Sequence, residues 1–301
     1  MIDLHIHSSN SDGVLPAAEL ARRAAAAGLS AAALTDHDTI DGTSAFLEAC
    51  AEGGAVTGIA GVEFSAASEH GTLHILGLGV DASNQALREA LERIRDGRDA
   101  RNRRILARLN ELGYGLTWEE VESFAGGDVM GRPHFARAMI ARGWAASLAE
   151  VFERFLGRGA PAYVSRFRPA PEEAVALIKG AGGVASVAHP VSWTMDFDDM
   201  RASLLRFKEA GLDALECYHP RVGNKARAAL LRLAAELGLL VTAGSDFHGI
   251  DRSDALGAPD GAPDALLPPL LGRMSPYGVA APCATAGSVA RNASNGAGEA
   301  R

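Results

Sequence analysis

The sequence predicts an α/β fold in which mainly parallel strands close into a barrel, with a block of helices inserted part-way along. Three observations point there. Apolar runs of strand length alternate with helical patterns through much of the chain, and this alternation stops between about 84 and 163, where helical patterns follow one another. Strand after strand also ends in a residue of metal-ligand type, at the barrel end where active sites lie.

The first strand, over 2–6, delivers Asp3-Leu4-His5-Ile6-His7, with Asp12 shortly after. Residues two apart on a strand project to one side, so His5 and His7 point two imidazoles at one place. Pro16 stands where a first helical turn begins, and the Ala-rich segment from Ala17 runs as a helix to Gly28. A strand over 31–35 leads into Asp36-His37-Asp38, and one over 57–64 carries Glu63. The strand over 72–80 holds His74 in its interior, and the short turn from Ser68 to Gly71 predicts a hairpin that folds it back beside the others; His70 in that turn reads as surface. Helices over 86–112, 117–124, 132–142 and 148–156 form the inserted block, with Thr117-Trp118-Glu119-Glu120 shaped as a capping box. Pro171-Glu172-Glu173 opens a further helix ahead of Gly182-Gly183. Strands over 184–188, 213–218 and 240–245 follow, the first leading into His189-Pro190 and the last into Asp246-Phe247-His248. From Pro276 the chain is rich in Ala, Gly, Ser and Asn without periodicity and reads as a disordered tail. The expected organisation is a barrel from 1–83 and 164–275, a helical cap from 84–163 and a tail from 276–301.

With 301 residues, 48% of them hydrophobic, the chain is long enough for one barrel-sized domain and an insertion. No apolar stretch reaches the roughly 18 residues of a membrane span, and Met1 leads almost directly into the first strand without room for a leader, so the expected compartment is the cytoplasm. Cys50, Cys217 and Cys283 are odd in number and scattered, which suggests neither a disulfide framework nor a zinc ribbon. A net charge of -8 argues against a general grip on nucleic acid, and no stable DNA binding is expected. Against that background the helix over 86–112 carries eight Arg between positions 88 and 108 and four acids. A solvated face accounts for most such runs; the functional alternative is a positive wall that draws an anionic substrate inward.

The strings DLHIHSSNSDG, LTDHDT, GVEFS, LHILGLG, VAHP and GSDFH, in this order between Ile2 and His248, resemble the motifs of the PHP (polymerase and histidinol phosphatase) metallophosphoesterases. GRPHFARAMI and the ECYHP segment resemble the stand-alone bacterial members that act on nucleoside bisphosphates and short oligoribonucleotides. The resemblance implies a distorted (β/α)7 TIM-like barrel, the PHP fold. Carried over motif by motif, it implies one ion held by His5, His7, Glu63 and Asp246, a second by Glu63, His74 and His189, and a third by Asp12, His37 and His248. Glu63 and Asp246 are natural bridges, because a carboxylate spans ions roughly 3.5 to 4 Å apart. Mixed His and carboxylate ligation suits zinc, manganese and iron alike. Asp36 and Asp38, flanking His37, are expected to orient ligand imidazoles by accepting their free N–H groups.

Clustered divalent ions lower the pKa of a shared water from about 15.7 toward 7 and neutralise phosphate oxygens, which is what phosphoester hydrolysis requires. The chain offers no G-x-S-x-G elbow and no Cys in a motif, so metal-bound hydroxide is the expected nucleophile. Arg132, His134 and His219 are not needed among the ligands and are expected to bind phosphate, with Arg132 as a bidentate fork and the histidines contacting oxygens or protonating the leaving alkoxide. The expected substrate is a small phosphorylated molecule, a nucleotide with two phosphates such as adenosine 3',5'-bisphosphate, with short RNA 5'-ends as a neighbouring class. A histidinol-phosphate-type phosphatase, whose pattern places a His where this chain has Asp12, and a non-catalytic metal-stabilised module remain as alternatives.

Overall fold

The computed structural model describes residues 1–70, 72–125, 130–250, 255–259 and 262–281. Seven strands, β1 (Ile2–Ile6), β2 (Ala31–Leu34), β3 (Thr57–Ala66), β4 (Leu73–Leu78), β5 (Val184–Val187), β6 (Ala214–Tyr218) and β7 (Leu240–Ala243), lie side by side in chain order. β4 runs antiparallel to both neighbours, pairing Glu63 with Leu76 on one side and Ser186 with Leu76 on the other; the remaining pairs in this order are parallel. The β3–β4 hairpin matches the expectation from Ser68 onward, although Gly71 of its turn lies outside the described residues.

The sheet curls until its two edges meet. β7 stops at Ala243, two residues short of the strand expected to 245, and the residues that follow bond directly to the end of β1. Asp246 N–H donates to His5 O and His7 N–H to Phe247 O, both at 2.9 Å, with Ile6 bridged in parallel to Phe247. Gly244 permits this approach: a Cβ there would lie 2.2 Å from the Cβ of His5.

Helices cover the barrel. α1 (Ala17–Ala26) and α2 (Thr43–Gly53) pack over β1 and β2, sharing a cluster with Ile6, Ala32 and Leu34, while Ala31 and Ala33 face the other side with Ile2 and Leu4. α3 (Gln85–Glu111) is 27 residues long, about 40 Å at the α-helical rise. Its first half buries Leu87, Leu91 and Ile94 in the barrel cluster; its second half buries Ile105 and Leu109 in a separate cluster with Phe135, Met139 and Leu156. That second cluster also receives α4 (Trp118–Glu122), started by the Thr117–Glu120 capping box, α5 (Arg132–Ala141) and α6 (Leu148–Val151). The helix expected over 148–156 turns into a π-helical segment from Phe152 to Leu156, closed by Gly157 N–H on Phe152 O at 2.6 Å. α7 (Pro171–Gly180), α8 (Phe197–Glu209) and α9 (Asn224–Leu237) complete the outer layer, and a short α10 (Leu267–Leu271) follows β7. Among the described residues, no helix is long and apolar enough to cross a membrane.

The chain from Pro276 differs from the irregular tail expected of it. Pro276–Gly278 forms a 3-10 turn and β8 (Val279–Ala280) pairs antiparallel with β3, Ile59 opposite Val279. A Cβ on Gly278 would fall 2.3 Å from the carbonyl carbon of Gly79, so only glycine lets the two backbones meet. A two-residue strand has no periodicity by which sequence could announce it. Residues 282–301 of the expected tail lie outside the described residues.

The contact of Gly244 with His5 yields a test. Gly244→Ala is expected to force β1 and the segment after β7 apart, destabilising the protein by roughly 1–3 kcal/mol and lowering bound metal with it. Urea unfolding and metal analysis of the same preparation measure both, and unchanged values would refute this closure.

Candidate metal centre

Glu63 sits in the interior of β3, fully buried, and the neighbouring strands aim imidazoles at it. His37 Nδ1 and His74 Nδ1 lie 2.8 Å from its carboxylate oxygens, His189 Nε2 3.0 Å, His7 Nε2 3.3 Å and His5 Nε2 3.4 Å. His37 arrives because the chain after β2 continues pairing with β3, Glu63 N–H donating to Asp36 O and Asp38 N–H to Glu63 O, both at 3.0 Å. His74 arrives because β4 is reversed, which sets it opposite Ser65, two residues beyond Glu63.

Asp246 forms a second focus. Its carboxylate lies 3.3 Å from His7 Nε2, 3.4 Å from His219 Nε2, 3.5 Å from His5 Nε2 and 3.6 Å from His248 Nδ1. Asp12 forms a third, with His248 Nε2 at 3.2 Å, His37 Nε2 at 3.6 Å and His7 Nδ1 at 3.9 Å. All nine residues expected as ligands are therefore brought together, and His219 joins them at the edge. Candidate ligand atoms group within 4.8 Å of one another as His7, Asp12, His37 and His248; as His5, Glu63 and His189; as His5, His219 and Asp246; and as His37, Glu63 and His74.

The donor set fits metal ions. His5 Nε2, both nitrogens of His7 and Glu63 Oε2 are buried without a hydrogen-bond partner. Buried polar atoms are almost always partnered, and a cluster of orphans facing one another is the arrangement an ion satisfies. Burial and then the neighbouring His248 push the His7 pKa down to about 3, so that ring is neutral and ligand-ready. Burial also opposes charge on His37, but Glu63 and Asp12 outweigh it and push it up to about 10. Glu63 and Asp246 stay ionised because facing imidazoles overcome the cost of burial. Against the same burial His5 and His248 are raised as well, by Glu216 and Asp12 respectively, so His5, His37 and His248 are the rings that carry protons when no cation balances the carboxylates.

A protein-family model for the PHP domain matches residues 3–157. A 3',5'-nucleoside bisphosphate phosphatase of Chromobacterium violaceum is 36% identical over 248 residues, covering 82% of this chain and 87% of that protein. A 5'-3' exoribonuclease of Salmonella typhimurium is 34% identical over 247 residues, covering 82% and 84%. A solved amidohydrolase structure from Chromobacterium violaceum with bound sulfate superposes with a TM-score of 0.82 at 33% identity, covering 94% of this chain and 98% of that one. The chain belongs to the PHP family. It is a metal-dependent phosphoester hydrolase, and its His and carboxylate cluster offers the ligand types that divalent metals take.

Outside its ligands, this PHP centre uses carboxylates the sequence reading passed over. Glu216 on β6 is fully buried; its Oε1 faces His5 Nδ1 at 3.1 Å and its Oε2 accepts His189 N–H at 2.6 Å. Holding the proton on His5 Nδ1 leaves Nε2 turned to the cluster. Asp3 accepts from Ser245 N–H and Oγ–H and from Gly257 N–H, which ties the segment after β7 to β1. The one signal for either was an acid inside an apolar strand.

Asp36 and Asp38 depart from expectation: neither accepts from a ligand imidazole. Asp36 takes Ser8 N–H at 2.7 Å, Ser8 Oγ–H at 2.6 Å and Ser11 Oγ–H at 2.5 Å, shaping the loop that carries Asp12. Asp38 takes Ser65 N–H at 2.8 Å and pairs with Arg98 and Arg166. Their short side chains reach the nearby loop and cap, not the rings.

His134 and Arg132, expected to bind phosphate, are both tied into the protein. His134 is buried, and its Nδ1 accepts Gly131 N–H at 2.9 Å, so its proton sits on Nε2. Burial, with Arg137 beside it, lowers its pKa and keeps it neutral. Arg132 donates through Nη1 to Leu156 O at 3.2 Å and lies near the rings of Phe152 and Tyr163, 5.6 and 5.7 Å from their centroids, so part of the expected fork is committed to the protein.

Two measurements test the centre. Glu216→Gln removes the acceptor for His5 Nδ1–H and is expected to weaken metal binding about ten- to a hundredfold, read by competition with a chromogenic chelator. Because protons occupy raised-pKa rings such as His37 when no ion is bound, loading releases them and affinity falls as pH falls. Titration of metal-free protein in weak buffer at neutral pH should show that proton release; its absence would contradict the assigned protonation.

Proposed function

We propose that this PHP protein removes phosphate from nucleoside 3',5'-bisphosphates and releases nucleotides from the 5' ends of short RNAs. The single observation that carries this reading is a cleft of ≈ 300 Å³ lined both by Asp12, His37 and His74 and by Arg98, Arg101 and Arg132. Such a cleft suits a molecule with one phosphate at the metals and a second anionic group some distance away. The names of the two relatives, a bisphosphate phosphatase and an exoribonuclease, describe substrates of that kind. Neither a histidinol-type phosphatase nor a non-catalytic module accounts for the arginines that line this cleft.

Two to three divalent ions, of manganese, zinc or iron, would be held by His5, His7, Glu63 and Asp246, by Glu63, His74 and His189, and by Asp12, His37 and His248. When bound, such ions supply a low-pKa water and neutralise the oxygens of the phosphate under attack. The protein supplies position and protons. His219 Nδ1 accepts Arg221 N–H at 3.1 Å, which leaves its proton on Nε2, 3.4 Å from Asp246 Oδ2. From there it steadies Asp246 and can pass a proton to a leaving oxygen. His134 presents its Nε2–H as a neutral donor, and Arg132 keeps its remaining N–H groups for phosphate. The segment 84–163 serves as a cap that reads the second phosphate.

Glu63→Ala and Asp246→Asn are expected to lose bound metal and nearly all turnover; full phosphatase activity in metal-free Glu63→Ala would refute metal-dependent catalysis. Arg132→Ala and His134→Ala should each lower kcat/KM for adenosine 3',5'-bisphosphate about ten- to a hundredfold, relative to p-nitrophenyl phosphate. Equal loss on both substrates with metal intact would assign these residues to general catalysis instead.

A further inference from the structure

The cleft that holds Asp12, His37 and His74 adjoins a second one of ≈ 330 Å³, and the residues they share are arginines: Arg101, Arg132, Arg166 and Arg168 line both. Arg98 and Arg101 stand one turn apart on α3, while Arg166 and Arg168 lie on the chain entering α7. The carboxylate in contact with this group is Asp38, and it engages Arg98 and, at 3.1 Å, Arg166 Nη2. Arg132 is turned onto Leu156 O.

Arg101 has no such partner. It is 6% exposed, and among the described residues it makes no hydrogen bond or ion pair; its Nε is a buried donor without an acceptor. Arg166 Nη1 and Arg168 Nε are buried and unpartnered as well. Burial first, and then Arg166, Arg98, Arg132 and Arg168, disfavour the charge on Arg101 and push its pKa down. A guanidinium nevertheless keeps its proton in proteins. The free protein therefore carries an uncompensated buried cation, which is destabilising unless an anion meets it.

We propose that Arg101, with Arg166 and Arg168, forms a phosphate seat that holds the group the enzyme does not hydrolyse: the second phosphomonoester of a nucleoside bisphosphate, or the next phosphodiester of a short RNA. This rests on the nucleotide reading above and moves the centre of second-phosphate recognition from Arg132 to Arg101. Arg158, exposed on the rim of the second cleft, continues the positive track for a longer chain. A planar fork matches phosphate oxygens two at a time, and a seat already desolvated makes each charge-assisted bond count for more.

The test uses metal-loaded enzyme and Arg101→Met, which keeps an apolar stem and removes the charge. In anion-poor buffer the variant is expected to melt at a higher temperature than the parent. Inorganic sulfate should raise the melting temperature of the parent by more than that of the variant, beyond the general effect of the salt on both. The preference for adenosine 3',5'-bisphosphate over p-nitrophenyl phosphate, as a ratio of kcat/KM, should fall about ten- to a hundredfold. Arg101→Lys should keep part of both the sulfate response and the preference, and it carries the test if the Met variant does not fold. A variant that melts lower than the parent and loses both substrates equally would make Arg101 a structural residue and overturn the seat. An unaltered sulfate response would overturn it too. If the parent itself showed no preference for the bisphosphate, the nucleotide reading would fail, while the sulfate response would still decide whether the seat exists.

Discussion

The interaction on which the rest of this structure depends is the contact of one buried carboxylate with a ring of imidazoles. Glu63 lies within 3.4 Å of nitrogens from five histidines, on β1 and just after it, after β2, on β4 and after β5. Placing a charge with no exposure inside a barrel is strongly unfavourable unless opposite charge surrounds it. The barrel strands on either side of β3, β2 and β4, and β1 and β5 beyond them, accordingly bring groups able to carry a proton or bind an ion. The reversed strand β4 has the same rationale: an antiparallel neighbour brings His74 to Glu63 from the side, where a parallel strand would contribute only at its end.

The barrel is tied to α3 and to the chain entering α7 through a second carboxylate, Asp38. Its backbone follows the ligand His37, its side chain accepts from Ser65, and its oxygens hold Arg98 of α3 and Arg166 ahead of α7. α3 is anchored in both hydrophobic clusters, so the arginine wall is fixed at the middle of a rigid rod. The distance between the histidine cluster and Arg98 and Arg101 is thus set by packed structure.

What was legible in the sequence follows from periodicity. His5 and His7 share a face because strands repeat every two residues, and ligand-type residues at strand ends stood out against apolar runs. The hairpin bearing His74 could be read from its turn, and α4 from its capping box. Glu216 and Asp3 were hidden because a lone acid in a strand has no pattern; its role comes from the segments that fold against it. Asp36 and Asp38 were assigned to the wrong partners because adjacency in sequence to His37 says nothing of the serines and arginines brought near by folding. The arginine seat was scattered across α3 and the segment before α7, with Arg101 one of eight arginines on its helix and marked out only by its burial. β8 had two residues and no period at all.

Backbone strain falls where these constraints meet. Among the described residues, Asp38, His189 and Asp246 are the non-glycine residues with positive φ, at 54, 25 and 56 degrees. Such conformations cost about 1–3 kcal/mol each in non-glycine residues. All three closely succeed a strand of the barrel and all three serve the site: Asp246 and His189 by facing the cluster, Asp38 by joining it to Arg98 and Arg166. The strained residues are held by neighbours that are themselves fixed: Glu216 Oε2 accepts His189 N–H, Asp246 N–H bonds to His5 O, and Asp38 N–H bonds to Glu63 O. The same few backbone bonds that close the barrel therefore also aim its ligands, so that loosening the sheet at this end and disordering the metal centre are one event.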